Sequence, residues 1–194
     1  FGEDRANRLE FRTINGLSAR IIQYYERAMG RRAFQLVTDE GTLSSLVGEL
    51  FRACTGTFAT ESTIKGLRTA ITYGKNRQMS REEMEALSTG ELPVAQVYQA
   101  YCRVLRQRGW MDYDDQMVYA AQILRRHGEI LAYFQKKYTH LCVDEAQDTS
   151  RIQHTILRLL AGRRRNLFLV GDEDQSIYGF RAAEPGALLR FERD

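Results

Sequence analysis

HLCVDEAQDTS, residues 140–150, drives three apolar residues, Leu141, Cys142 and Val143, straight into the polar run Asp144, Glu145, Ala146, Gln147, Asp148. A short apolar run that ends abruptly in acids reads as a strand delivering carboxylates to a sheet edge. A second run of the same kind, NLFLV at 166–170, ends in Gly171, Asp172, Glu173, Asp174, Gln175 and Ser176. The amphipathic stretch RIQHTILRLLAG lies between them. Strand, helix, strand predicts a parallel βαβ unit with both strands buried. Ligands of open α/β sheets collect outside the carboxyl ends of the strands, where both acidic clusters then fall.

Working outward, the periodicity turns helical. Leu17, Ile21, Ile22, Tyr25 and Ala28 recur at helical spacing before a stop at Gly30. Between Thr38 and Gly109 come LSSLVGELFRA, ESTIKGLRTAITYG, a Ser-Arg-Glu-Glu capping box at Ser80 to Glu83, and PVAQVYQAYCRVLRQRG with Pro93 near its first turn. This block predicts an all-helical subdomain, with Trp110 ending an amphipathic helix and joining the core. Another helical run covers Asp114 to Tyr138, broken near Gly128. The fold class is therefore α/β, with a helical region inserted into a domain whose strands come late. The divisions are residues 1–32, a helical insertion over 33–110, and 111–194.

At 194 residues, 43% hydrophobic and 27% charged, the chain can bury one sizeable core. A formal net charge of +3 permits nucleic-acid binding without arguing for it. No apolar run approaches the roughly 20 residues of a membrane span, and the start FGEDRANRLEF lacks the pattern of a signal peptide. Cys54, Cys102 and Cys142 show no metal-binding spacing and read as reduced, buried thiols of a cytosolic protein. His127, His140 and His154 have no partnered spacing for a metal either. Arg163, Arg164 and Arg165 read as a solvated run that favours a helix C-terminus. Arg52, Lys65, Arg68, Lys75 and Arg77 give the insertion a basic tendency that suits either DNA or a solvated face.

Two adjacent carboxylates at such a strand end can divide labour. The first holds a magnesium ion, largely through water, and the second polarises the water that attacks a nucleotide γ-phosphate. One acidic run after one apolar run is equally well a solvated turn. Two neighbouring strands ending this way are much harder to explain as surface chemistry.

VDEAQDTS at 143–150, with LVGDEDQSIYGFRAA at 169–183, resembles motifs II and III of the UvrD/Rep family of superfamily 1 DNA helicases, VDEFQDT and GDxDQSIYxFRGA. Met111 to Asp115, MDYDD, resembles the family's DFDD element, and Ile71 to Asn76, ITYGKN, its I-x-x-x-K-N segment. Thr13 to Leu17, TINGL, resembles its DNA-contacting TxHSL. The resemblance implies a partial RecA-like parallel-sheet motor domain of the P-loop NTPase class with an all-helical inserted subdomain. It implies ATP as substrate, with Asp144 on the magnesium ion, Glu145 orienting or deprotonating the attacking water, and Gln175 sensing the γ-phosphate. A neutral amide suits that last role because it donates without titrating. By the same resemblance Gln147 and Asp148 are expected to help organise the site, and Asp148 could equally cap the following helix. Tyr178, Phe180 and Arg181, with Thr13 and Asn15, would contact single-stranded DNA, an aromatic face plus a guanidinium gripping unpaired bases without reading sequence. The implied partners are single-stranded DNA and single/double-strand junctions, the implied translocation is 3′ to 5′, and the implied location is the bacterial-type cytoplasm, associated with the nucleoid.

The match departs in places. Asn15 and Gly16 replace the His and Ser of TxHSL, and Ala182 replaces the Gly of FRGA. No Gly-rich loop with GK[ST] occurs, since Gly74-Lys75 is followed by Asn76 inside a helical run. The family places that loop before TxHSL. With Phe1 first and Asp194 last, the expectation is a piece of a longer polypeptide, inactive alone in ATP hydrolysis because phosphoryl transfer needs the loop's Lys and backbone amides. The alternative is a degenerate helicase-like module that binds DNA or protein without turning over nucleotide. A nuclease is the weaker idea, because two-metal sites need converging carboxylates with a Lys or His.

Overall fold

The computed structural model describes residues 9–89 and 92–172. Gln175, Tyr178, Phe180 and Arg181 lie outside the described residues. The elements run α1 (Ile14–Met29), β1 (Gln35–Leu36), α2 (Glu40–Thr55), α3 (Glu61–Arg77), α4 (Arg81–Ala86), α5 (Val94–Arg108), β2 (Trp110–Met111), α6 (Tyr113–Arg126), α7 (Gly128–Lys137), β3 (Leu141–Val143), a 3-10 turn (Ala146–Asp148), α8 (Arg151–Ala161), a second 3-10 turn (Gly162–Arg164) and β4 (Leu167–Leu169).

Helix starts follow the local chemistry. The side chains of Thr13, Asp39 and Thr60 accept the backbone N–H three residues on, and Ser80–Glu83 and Asp112–Asp115 form full capping boxes. Pro93 precedes α5 without donating a cap, and α1, α2 and α5 end at left-handed Gly30, Gly56 and Gly109. The predicted break near Gly128 falls at His127, where the chain leaves helical angles between α6 and α7.

Buried apolar residues gather in two clusters. One joins α2 to α5 around Val47, Leu67, Ile71, Met84, Val97 and Leu105. The other joins α1, α6, α7 and α8 around Ile21, Ala120, Leu124, Phe134, Ile152 and Ile156. Between the two lies a small parallel ladder that periodicity does not announce, pairing Gln35 with Trp110 and Leu36 with Met111. The chain thus leaves for the helical block and returns from it at adjacent positions. The C-terminal end of α3 also docks on α8, where Gln78 Nε2 donates to Thr155 Oγ1 at 2.9 Å.

β3 and β4 pair in parallel, Leu141 with Leu167, Cys142 with Phe168 and Val143 with Leu169, with α8 as the crossover. The expectation of full burial fails. Both strands are covered on one face only, leaving Cys142 exposed and Phe168 64% exposed. Alternation decides this: Leu141 on one face packs against the cluster of α1, α6, α7 and α8, while Cys142 and Phe168 on the other stay exposed. Two further corrections follow from position. Cys54 lies exposed at the end of α2 and Cys142 is exposed on the open sheet face, so these two thiols are not buried, while Cys102 is half-buried against the α2–α5 cluster. Trp110 opens β2 after the Gly109 cap rather than ending a helix, but it does pack against the α2–α5 cluster, half-buried with the Arg108 guanidinium 5.0 Å from its ring centroid. The exposed arginines 163–165 match the solvated reading.

Candidate active site

β3 ends at Val143 and delivers Asp144 and Glu145 to solvent beside the end of β4. The two strand ends are stitched together. Val170 N–H donates to Val143 O at 2.8 Å, and Ala146 N–H donates to Val170 O at 2.8 Å. Asp144 accepts the N–H of Glu145 through Oδ1 at 3.0 Å. Glu145 adopts a left-handed backbone, φ 52° and ψ 43°, a conformation an L residue with a long side chain holds only when its surroundings impose it. One surrounding group is Gln147, almost wholly buried, whose Nε2 donates to Glu145 Oε2 at 2.6 Å and whose Oε1 accepts the N–H of Asp172 at 3.0 Å.

Asp148 closes the 3-10 turn, and its Oδ1 is buried without a hydrogen-bond partner. It does not cap the next helix. Ser150 takes that position, its N–H held by Gln153 Oε1 at 2.8 Å. The donors at this strand end are carboxylate oxygens without thiolate or imidazole among them, the chemistry of a hard cation. Among the described residues no group of three or more His, Cys, Asp or Glu makes a closed metal cage. Magnesium needs none, since it keeps several waters and is bound by one or two carboxylates plus substrate phosphates. The exposed Asp144 carboxylate fits that requirement, and the Asp148 oxygen without a partner, on the turn that follows, is of the same chemistry.

Thr13 and Asn15 stand apart at the start of α1. Thr13 Oγ1 accepts the Gly16 N–H at 3.1 Å as the helix cap, and Asn15 Oδ1 is buried without a hydrogen-bond partner.

The MDYDD and ITYGKN segments, 37 residues apart at Lys75 and Asp112, meet in a buried ionic cluster. Lys75 Nζ donates to Asp112 Oδ2 at 2.6 Å and lies 2.8 Å from Asp115 Oδ1, while Tyr101 OH donates to Asp112 Oδ2 at 2.9 Å. Asn76 Nδ2 and Thr72 Oγ1 donate to Asp114 at 2.7 and 2.8 Å. Burial pushes the Asp115 carboxyl up to about 6 and also raises Asp114, which feels the like charge of Asp112. Burial works the same way on Asp112 and is the largest single influence, but the Lys75 charge and the hydrogen bonds from Lys75, the Asp115 N–H and Tyr101 together hold that carboxyl below its ordinary range. Lys75 is itself held charged by the two carboxylates against the pull of burial. This removes Lys75 from the basic surface inferred for the insertion. It also accounts for Gly74-Lys75, whose lysine binds carboxylates rather than phosphate. Both segments were visible in the sequence. The signal for their pairing was a lysine on an apolar helix face together with three clustered acids, which charge balance would have joined.

His154 Nε2 and Thr149 Oγ1 lie 2.7 Å apart beside the turn. No described helix is long and apolar enough to cross a membrane.

Residues 1–194 match the UvrD/REP helicase N-terminal domain family. The chain is 41% identical over 112 residues to the ATP-dependent DNA helicase PcrA of Staphylococcus aureus, covering 58% of this chain and 15% of that protein. It is 40% identical over 127 residues to PcrA of Staphylococcus epidermidis, covering 64% of this chain and 17% of the relative. The chain thus spans about a sixth of the length of these curated relatives.

Proposed function

Because the chain belongs to the UvrD/REP helicase N-terminal domain family, we propose that it is the RecA-like first motor domain of an ATP-dependent DNA helicase. Residues 1–32 and 111–194 form the motor and 33–110 its helical insertion, a division supported by the two apolar clusters. The observation that carries the reading is the paired strand ends. Asp144 and Glu145 stand exposed where β3 stops, hydrogen-bonded through the next residue to the end of β4.

In this reading Asp144 would hold the magnesium of the nucleotide, which when bound neutralises phosphate charge, and Asp148 helps organise the nucleotide site. Glu145 orients the attacking water and takes its proton, and its left-handed backbone turns the side chain away from the strand direction. Gln175 contacts the γ-phosphate. Tyr178, Phe180 and Arg181, with Thr13 and Asn15, contact single-stranded DNA at a single/double-strand junction. The remainder of the same polypeptide supplies the phosphate loop and second motor domain, so the chain alone does not hydrolyse ATP. The whole protein moves 3′ to 5′ in the bacterial cytoplasm, on nucleoid DNA.

The test is DNA-stimulated ATPase activity of the full-length polypeptide, wild type beside Glu145→Gln. Loss of a general base lowers kcat by about 10²- to 10⁴-fold, and ATP binding should persist. Should neither protein hydrolyse ATP while both bind DNA, the chain is a binding module and the motor reading falls.

A further inference from the structure

The scheme above gives Gln147 no specific task, yet it is 1% exposed and among the largest wholly buried side chains. Its two amide atoms are spent on two different strand ends. Nε2 donates to the Glu145 carboxylate after β3, and Oε1 accepts the Asp172 N–H after β4, at 2.6 and 3.0 Å. Gly171 is the residue that lets it reach. A Cβ there would sit 2.4 Å from Gln147 Oε1 and 3.1 Å from the backbone nitrogens of Ala146 and Gln147. The amide therefore lies flat against a glycine backbone, and the left-handed Glu145 is tied through it to the neighbouring strand.

We propose that Gln147 is a positioning residue: its amide fixes the Glu145 carboxylate and couples it to the Gly171–Asp172 backbone, so that a shift of the β4 end moves the water-orienting group. The inference rests on the reading of Glu145 given above. The chemistry restricts the side chain. The carboxylate needs a donor and the Asp172 N–H needs an acceptor, held at opposite sides of one planar group, which an amide supplies at every pH. An apolar side chain would strand both partners. A carboxylate at position 147 would oppose Glu145, and the amide of asparagine, one methylene shorter, would not span both partners.

The experiment compares the full-length polypeptide with its Gln147→Met, Gln147→Asn and Glu145→Gln variants in DNA-stimulated ATP hydrolysis, with kcat and KM resolved separately. Misplacing a reacting group by an ångström costs up to about 100-fold. Gln147→Met should accordingly lose on the order of 10- to 100-fold in kcat, with KM for ATP within about twofold of wild type. Gln147→Asn keeps an amide one methylene short of both partners and should lose kcat in the same way, again with KM for ATP nearly unchanged. Because asparagine preserves the polar character of the site, it keeps the test decisive even if Gln147→Met fails to fold. Two outcomes overturn the proposal: a folded Gln147 variant hydrolysing ATP like wild type, or a loss that falls on KM for ATP rather than on kcat. In either case a silent Glu145→Gln beside an active wild type leaves the motor reading standing. A wild type that does not hydrolyse ATP overturns both.

Discussion

Asp115 holds a proton more tightly in the folded chain than in the unfolded one, because burial favours its neutral form over what Lys75 can offset. With its pKa moved from 3.8 to about 6, its contribution to stability is complete below the ordinary value and is lost as pH rises through the folded one. Asp114, also raised, acts with the same sign, while Asp112, lowered, adds stability that is lost only in stronger acid. Asp115→Asn has nothing to titrate in that window. The wild-type melting temperature should therefore fall relative to that of Asp115→Asn between about pH 4 and pH 6. Melting curves that track each other across the window would refute the buried carboxyl. At this scale the sequence was uneven in what it revealed. Asp144 and Glu145 were legible because they follow an apolar run immediately, whereas the partners of Lys75 lie on another helix. Asp148 was open to two readings, and only Ser150 taking the cap excluded one of them.

Elements were read best where their ends are written in side-chain chemistry. The Ser80 box, the Gly30 and Gly109 stops and the parallel pairing of β3 with β4 all follow from local residues. β1 and β2 were missed because two residues have no period to detect, and Trp110 was given to the helix it follows. The half-burial of β3 and β4 was missed because a run of apolar residues does not reveal how many faces are covered. Gly171, at the end of β4, carries the clearest prediction at this scale. Alanine there meets backbone nitrogen at 3.1 Å as well as the Gln147 amide, and only the amide can swing aside. Gly171→Ala should destabilise the chain by about 1–3 kcal/mol and speed hydrogen exchange at the Ala146 N–H that β4 holds. Unchanged exchange at Ala146 would mean the strand end is not packed as described.

At the scale of the described residues as a whole, the two apolar clusters are bridged by the β1–β2 ladder, by the contact of α3 with α8, and by the buried cluster around Lys75. Of these the ionic cluster is the hardest to perturb without consequence. Removing one partner leaves buried charge uncompensated, at a cost of about 3–5 kcal/mol. Lys75→Met should lower stability by about that amount in chemical denaturation. It should also split a single calorimetric transition into two as the clusters lose their tie. One transition at unchanged midpoint would show that the clusters are coupled elsewhere. The helical block and the strand-bearing block were both foreseeable from a change of periodicity along the chain. Their attachment was not, since it depends on residues far apart in sequence.

The ladder that pairs Gln35 with Trp110 sets the chain's departure and return about 5 Å apart, one strand spacing. A segment tethered at two such neighbouring points behaves as a cartridge. It can be shortened, lengthened or exchanged for another of different sequence while the flanks keep their separation, so the helical block is a natural position at which to transplant a foreign module into this scaffold.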